Sequence, residues 1–412
     1  MLSRRELLDL ARRLAPAAGL AAAAPAATAR ALAGDTRVGP LGRWFGRDLA
    51  ATAPRARFWA TASTPGVDCL TCHPSATAEF RARPHAHEAT TVTCLLCAQA
   101  CTIAPGKRGR CRARQNVDGE LRSLVYGRPV SVHVDPIEKK PFYHFLPGAA
   151  AFSLGTTGCP LRCQFCQNWE ISQASPEDFD VPSSAPREIV EAAAARRAPV
   201  IAFTYNEPTV FTEYLLDVAG EARKQRRRAV LVSCGFMTEA PLAEMCRSLD
   251  AIKIDLKGFS EDFYHRVSGA ALAPVLRSIR QVARSGVHLE IVNLVVPTLN
   301  DDDRSLGALA KWLVSEVGPD VPVHFTRFHP DFQLRNLPPT PVETLERART
   351  LAHDAGLRYA YVGNVPGHRW NNTFCPKCSQ VVIERSNFFV TAMNLERGRC
   401  RWCSELIKGV WS

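Results

Sequence analysis

From residue 151 onward the chain alternates short apolar runs with segments of helical period. That alternation restricts the fold more than any other feature of the sequence. The strand candidates are 151–154, 200–204, 229–232, 251–255, 288–296, 323–327 and 359–362. Helical patterns lie between them near 186–197, 209–226, 239–248, 273–285, 302–316 and 341–355. Continuous apolar strands separated by helices predict a parallel sheet covered on both faces, hence an α/β fold with a full or partial (β/α) barrel of the TIM type. Such barrels carry their chemistry at the C-terminal ends of the strands. The conspicuous polar residues Asn206, Glu207, Ser233, Asp255, Lys257 and His329 fall after successive strands, which predicts one shared site.

Fifteen cysteines are the second constraint, and thirteen of them fall in short clusters. Close C-x-x-C pairs point to metal rather than to disulfides in a chain of 412 residues. Directly after the first barrel strand, Cys159, Cys163 and Cys166 offer three thiolates on one loop, one fewer than a four-iron cluster takes, with a three-cysteine zinc site as the alternative. Cys375, Cys378, Cys400 and Cys403 form two knuckles flanking the strand candidates 381–383 and 388–390. They predict a zinc-ribbon or rubredoxin-like module over 370–412, with zinc preferred to iron. Cys94, Cys97, Cys101 and Cys111, within a cysteine-rich segment over 91–145, predict a second four-thiolate site. Structural zinc is the first reading there and a second iron–sulfur cluster the alternative. Cys234 and Cys246 stand alone and read as buried small hydrophobes.

The first 33 residues, with Arg4 and Arg5 before an alanine-rich stretch, resemble a twin-arginine export signal; an ordinary basic amphipathic helix is the alternative. Residues 34–90 are rich in Pro, Ala and Arg and carry Cys69, Cys72 and His73 in the C-x-x-C-H pattern of c-type haem attachment. A zinc site or a chance match competes with haem. No apolar stretch long enough to span a membrane runs unbroken beyond residue 40. The net charge of +11 admits anionic partners, but the excess is spread along the chain, and its densest run, Arg223 to Arg228, reads as a helix end. No basic stripe with interleaved aromatics marks a nucleic-acid site.

The C-x3-C-x2-C loop, with Phe165 before its last cysteine, resembles the signature of radical S-adenosylmethionine enzymes. The wider chain is similar to pyruvate formate-lyase activating enzymes. Asp135-Pro136-Ile137-Glu138-Lys139-Lys140-Pro141, Gly158 to Trp169 with Ile171-Ser172-Gln173, and Thr204-Tyr205-Asn206-Glu207-Pro208 resemble the AmmeMemoRadiSam family, as do the terminal knuckles and Gly409-Val410-Trp411. The likeness spans about residues 90–412 and implies a radical-enzyme barrel over 146–366. It also implies a four-iron cluster on Cys159, Cys163 and Cys166 whose open iron chelates S-adenosylmethionine. Glu207 then meets the cofactor's ammonium, His329 lies near its ribose and the backbone of Phe165 to Gln167 touches adenine, with Asn206, Ser233, Asp255 and Lys257 completing the cofactor site. Two positions depart from the pattern: Asn206 replaces a glycine, and Ser233-Cys234-Gly235 stands for Ser/Thr-Asn-Gly.

The resemblance implies hydrogen abstraction from a partner protein's glycine or from a small molecule, a flavodoxin- or ferredoxin-like electron donor and a Memo-like companion. Two other classes compete: a radical enzyme that modifies RNA, and a non-enzymatic iron–sulfur or haem electron carrier. S-adenosylmethionine chemistry favours the cytoplasm and the suspected export signal favours the outside, so the sequence leaves location open.

Overall fold

The computed structural model describes residues 49–61 and 90–412. The suspected export signal and the C-x-x-C-H motif lie outside the described residues. Five short strands make the N-terminal module: β1 (Trp59–Thr61), β2 (Val92–Cys94), β3 (Thr102–Ile103), β4 (Arg114–Val117) and β5 (Glu120–Ser123). The first three pair antiparallel as one small sheet and the last two as a hairpin. Part of the extension over 34–90 therefore belongs to this module, since β1 is its edge strand.

Eight strands form the main sheet: β6 (Ser131–Pro136), β7 (Ala150–Gly155), β8 (Val200–Phe203), β9 (Arg228–Ser233), β10 (Ala251–Asp255), β11 (His288–Val295), β12 (Val323–Arg327) and β13 (Ala360–Gly363). Their spatial order is their chain order, with β7 to β13 parallel and β6 antiparallel to β7. Among the described residues no pairing joins β13 to β6, so the barrel is partial. The predicted strands and helices recur within a few residues, the helices at Pro186–Ala195, Thr212–Lys224, Glu239–Ser248, Leu272–Ser285, Asp303–Glu316 and Val342–Asp354. The sequence boundary at 146 is corrected by β6, which is a barrel strand. Its half-exposed residues, none of them fully buried, suit the edge of the sheet.

Residue parity along the strands explains both the core and the cavity. Phe152, Leu154, Ile201, Phe203, Ile252, Ile254 and Ile291 face the helices in one large core. The alternate positions point inward and are small near the N-terminal ends: Ala151, Val200, Ala202, Val230 and Ala251 pack on Ile137, Phe142 and Phe145, which close that end. Further along, the inward positions turn polar, with Ser153, Lys253, Glu290, His324 and Thr326 all buried. Buried polar side chains need partners. Glu290 accepts hydrogen bonds from the amides of Tyr143 and His144 and meets the rings of His288 at 3.0 Å and His324 at 2.7 Å. Burial alone would raise the Glu290 carboxyl, but these two histidines hold it well below the usual range.

The C-terminal module comprises β14 (Thr373–Phe374), β15 (Val381–Ser386), β16 (Phe389–Met393), β17 (Leu395–Glu396) and β18 (Arg399–Cys400). Val382, Ile383, Cys375, Cys400 and Ile407 form one core with the barrel residues Tyr143, Tyr359 and Tyr361. Arg385 extends the attachment by donating to the Tyr143 carbonyl at 2.7 Å, with the buried Glu138 carboxylate 3.6 Å away. Among the described residues no helix is long and apolar enough to cross a membrane.

Candidate active site

The loop after β7 carries Cys159, Cys163 and Cys166 at the C-terminal end of the barrel, all three free of disulfides. It is pinned from several sides. The Gly158 amide donates to the Ile171 carbonyl at 2.9 Å, the Arg162 amide to Ser268 at 2.9 Å and the Gln164 amide to Val267 at 3.0 Å. Phe165 stacks on Phe263 with ring centres 6.3 Å apart. Gly158 has φ +89°, and a Cβ there would lie 2.3 Å from the Cys111 carbonyl oxygen. The glycine is required both by its conformation and by the backbone packed against it.

A cavity of about 430 Å³ opens at this loop. Its wall includes the three cysteines and the sequence-predicted residues Phe165, Gln167, Asn206, Glu207, Ser233, Asp255 and Lys257. His329 is not in that wall; it is exposed beyond β12, and the histidine that lines the cavity is His324. Cys234, expected only as a small buried hydrophobe, is buried but also lines the cavity. Cys246 lies on the outer helices, in a groove with Arg247 and Arg284. Reading the strands as uninterrupted apolar runs missed the wall residues Lys253 and His324, together with Tyr205 and Lys140. For Lys253 and His324 the signal was present as charged or polar residues inside apolar strands; Tyr205 and Lys140 stand outside the strands.

Glu207 caps the short turn Pro208–Phe211 and does more. Its carboxylate accepts from the Thr209 amide at 3.2 Å, the Thr209 hydroxyl at 2.6 Å, the Ser233 hydroxyl at 2.7 Å and the Cys234 amide at 2.7 Å. Asn206 braces the cysteine loop: its side-chain oxygen accepts from the Thr156 amide at 3.1 Å and its side-chain nitrogen donates to the Gly158 carbonyl at 2.8 Å. That contact accounts for a side chain where the resemblance expected glycine. Asp255 is flanked by Lys253 and by Lys257, the latter 3.2 Å away. Burial would raise the Asp255 carboxyl, but the two ammonium groups outweigh it and hold it low.

The donor set can be weighed against the groups it could hold. Burial raises all three loop thiols, Cys163 to about 11, and Cys159 well above its ordinary value with Glu207 adding to the effect. Thiolates in this wall therefore need the positive charge of a bound metal. The ligand atoms of the three cysteines are not drawn together to single-ion spacing. Among the described residues that spacing, every ligand atom within 4.8 Å of the others, is reached only by Cys375, Cys378, Cys400 and Cys403. The Cys375–Cys403 and Cys378–Cys400 sulfur pairs there are 3.5 and 3.6 Å apart, near the roughly 3.8 Å expected for tetrahedral zinc with Zn–S of about 2.3 Å. The barrel loop thus suits a multi-iron cluster with one unligated iron, and the terminal knuckles suit one closed ion. The N-terminal four, Cys94, Cys97, Cys101 and Cys111, do not reach that single-ion spacing either.

Comparison with known proteins gives the class. Residues 153–308 match the radical SAM superfamily, and the chain belongs to that superfamily of enzymes. It is similar to an uncharacterized protein of Methanocaldococcus jannaschii, 43% identical over 318 residues, covering 77% of this chain and 95% of the relative. The pyruvate formate-lyase 1-activating enzyme of Escherichia coli is 21% identical over 223 residues, covering 50% of this chain and 89% of the enzyme. A radical SAM methyltransferase from Sphaerobacter thermophilus superposes with a TM-score of 0.42 at 17% identity, over 54% of this chain and 67% of that structure. The family implies a four-iron cluster and S-adenosylmethionine, and relates the chain to glycyl-radical activating enzymes.

Proposed function

We propose that this enzyme cleaves S-adenosylmethionine reductively at a four-iron cluster held by Cys159, Cys163 and Cys166, and uses the product to abstract hydrogen from a substrate. Those three cysteines would hold the cluster, which would supply one-electron reduction of the cofactor's C–S bond to methionine and a 5′-deoxyadenosyl radical, with the electron drawn from a flavodoxin- or ferredoxin-like protein. The observation that carries the reading is the convergence of three free thiols and the polar strand-end residues on one cavity. Glu207, held by four hydrogen bonds, presents a fixed negative charge suited to the cofactor's ammonium. Phe165 and Gln167 offer backbone groups and an aromatic face to the adenine, and the Asp255–Lys257 pair offers both charges to the cofactor's polar groups.

The motif resemblances support a place in the AmmeMemoRadiSam family, with a partner protein's glycine or a small molecule as the hydrogen donor and a Memo-like protein as companion. A closed zinc in the terminal knuckles holds their module together. Anaerobic reconstitution tests the central reading: the wild type should take up about four irons per chain at the barrel loop and cleave S-adenosylmethionine under reduction. Cys163→Ala should abolish both. Undiminished cleavage by a variant lacking all three loop cysteines would end it.

A further inference from the structure

The four N-terminal cysteines form a second centre. Cys94 ends β2, Cys97 and Cys101 lie on the loop to β3, and Cys111 precedes β4. All four are free of disulfides and line one small cavity whose other walls are largely apolar, among them Leu96, Ile103 and Val210. The Arg110 amide donates to the Cys101 sulfur at 3.5 Å, and a Cβ on Gly109 would come within 3.7 Å of that sulfur. Backbone N–H groups aimed at sulfur are a feature by which proteins tune iron–sulfur centres.

Arg114 supplies an independent observation. Its side chain is fully buried and lines the same cavity. Two of its nitrogens are taken by the Glu213 carboxylate, at 2.9 and 2.5 Å. Its Nε–H is buried with no hydrogen-bond partner among the described residues. A buried, permanently charged donor left unsatisfied is costly, and an electron-rich group in the adjoining cavity would relieve it. The centre also touches the barrel loop. Pro160, next to Cys159, lines the second cavity, and its carbonyl accepts from the Gln99 side chain at 3.0 Å.

We infer that Cys94, Cys97, Cys101 and Cys111 hold a second, fully ligated iron–sulfur cluster through which electrons enter the barrel site. Four thiolates leave no iron open, so this cluster binds no substrate and can only gain and lose electrons. Each entry moves one electron from a flavodoxin- or ferredoxin-class protein to this cluster and then to the barrel cluster, with no bond made or broken until the cofactor is reached. The electron-entry role rests on the function proposed above; the cluster itself does not.

The test is a metal inventory on three anaerobic preparations of the full chain, with iron, acid-labile sulfide and zinc measured together. Wild type should hold about eight irons per chain, and a Cys159→Ser, Cys163→Ser, Cys166→Ser variant about four. The reduced spectrum of that variant should not respond to S-adenosylmethionine. A Cys94→Ser, Cys97→Ser, Cys101→Ser, Cys111→Ser variant should also keep about four irons, should respond to the cofactor and should be reduced by dithionite but no longer efficiently by a flavodoxin. The proposal is overturned if wild type holds only about four irons, or if the barrel variant holds zinc and no iron. Equal reduction of wild type and the N-terminal variant by flavodoxin removes the electron-entry role. If the barrel variant instead keeps all wild-type iron and its cofactor response, the failure lies with the barrel assignment.

Discussion

Two single residues bear most directly on the site. Gly158→Ala would force a side chain onto a left-handed backbone and into the Cys111 carbonyl, 2.3 Å from the new Cβ. Both thiol loops should shift, costing more than about 1 kcal/mol, and a lowered melting temperature with reduced iron uptake is expected. An unaltered melting temperature would mean that the loops relax freely. For Glu207→Gln the expectation is double. Removing the charge should weaken S-adenosylmethionine binding about 10- to 150-fold, and an amide cannot accept the four hydrogen bonds the carboxylate takes, so stability should also fall by about 1–3 kcal/mol. Calorimetry with the cofactor separates the two: lost stability with unchanged affinity leaves Glu207 as a cap alone. The sequence pointed to Glu207 because a charged residue follows an apolar run. It could not show the Ser233 and Cys234 donors, which come from another strand end. His329 was placed by its position after a strand and by resemblance, and the inward-facing position belongs to His324, as strand parity on β12 requires.

Among the elements, β6 shows where sequence reading stops. Polar residues alternate with Val132 and Val134 along this half-exposed antiparallel strand, so it carries none of the apolar continuity that marked the seven parallel strands. Its end sets a charge cluster: Asp135 accepts from Lys139 at 2.8 Å and from the buried Lys140 at 2.6 Å. Burial would raise the Asp135 carboxyl, but these two ammonium groups bring it down to about 2. Asp135→Asn should leave Lys140 buried without its anion and destabilise the protein by about 3–5 kcal/mol. Because burial already lowers Lys140, its folded form then binds fewer protons than the unfolded chain, so the deficit should narrow as pH rises. Adding Lys140→Met should recover much of the loss in chemical denaturation; no recovery would mean that the pair is not coupled. The terminal knuckles were legible, because C-x-x-C on hairpins dictates its own geometry, and there Cys400→Ser should release zinc and expose residues 370–412 to protease. Unchanged zinc and unchanged proteolysis would remove the structural role. The sequence showed that the N-terminal four lie close along the chain but not that they line one cavity with Arg114, since chain spacing does not determine where the sulfurs come to rest.

At the scale of the whole molecule, the barrel was readable because burial on both faces imposes apolar runs, while the packing of the smaller modules onto it was not. Those contacts are made by isolated residues far apart in sequence, such as Arg114 with Glu213 and Arg385 with Tyr143. One such contact has a consequence for the order in which the protein is made. Phe388, on the turn between β15 and β16, is part of the cavity wall that the barrel strands otherwise supply. It is synthesised after every barrel strand, and the hairpin that carries it lies between the two halves of the metal knuckle. Until that hairpin is translated and folded, the cavity lacks this part of its wall. The wall of the cavity is thus complete only once the last module has folded onto the barrel.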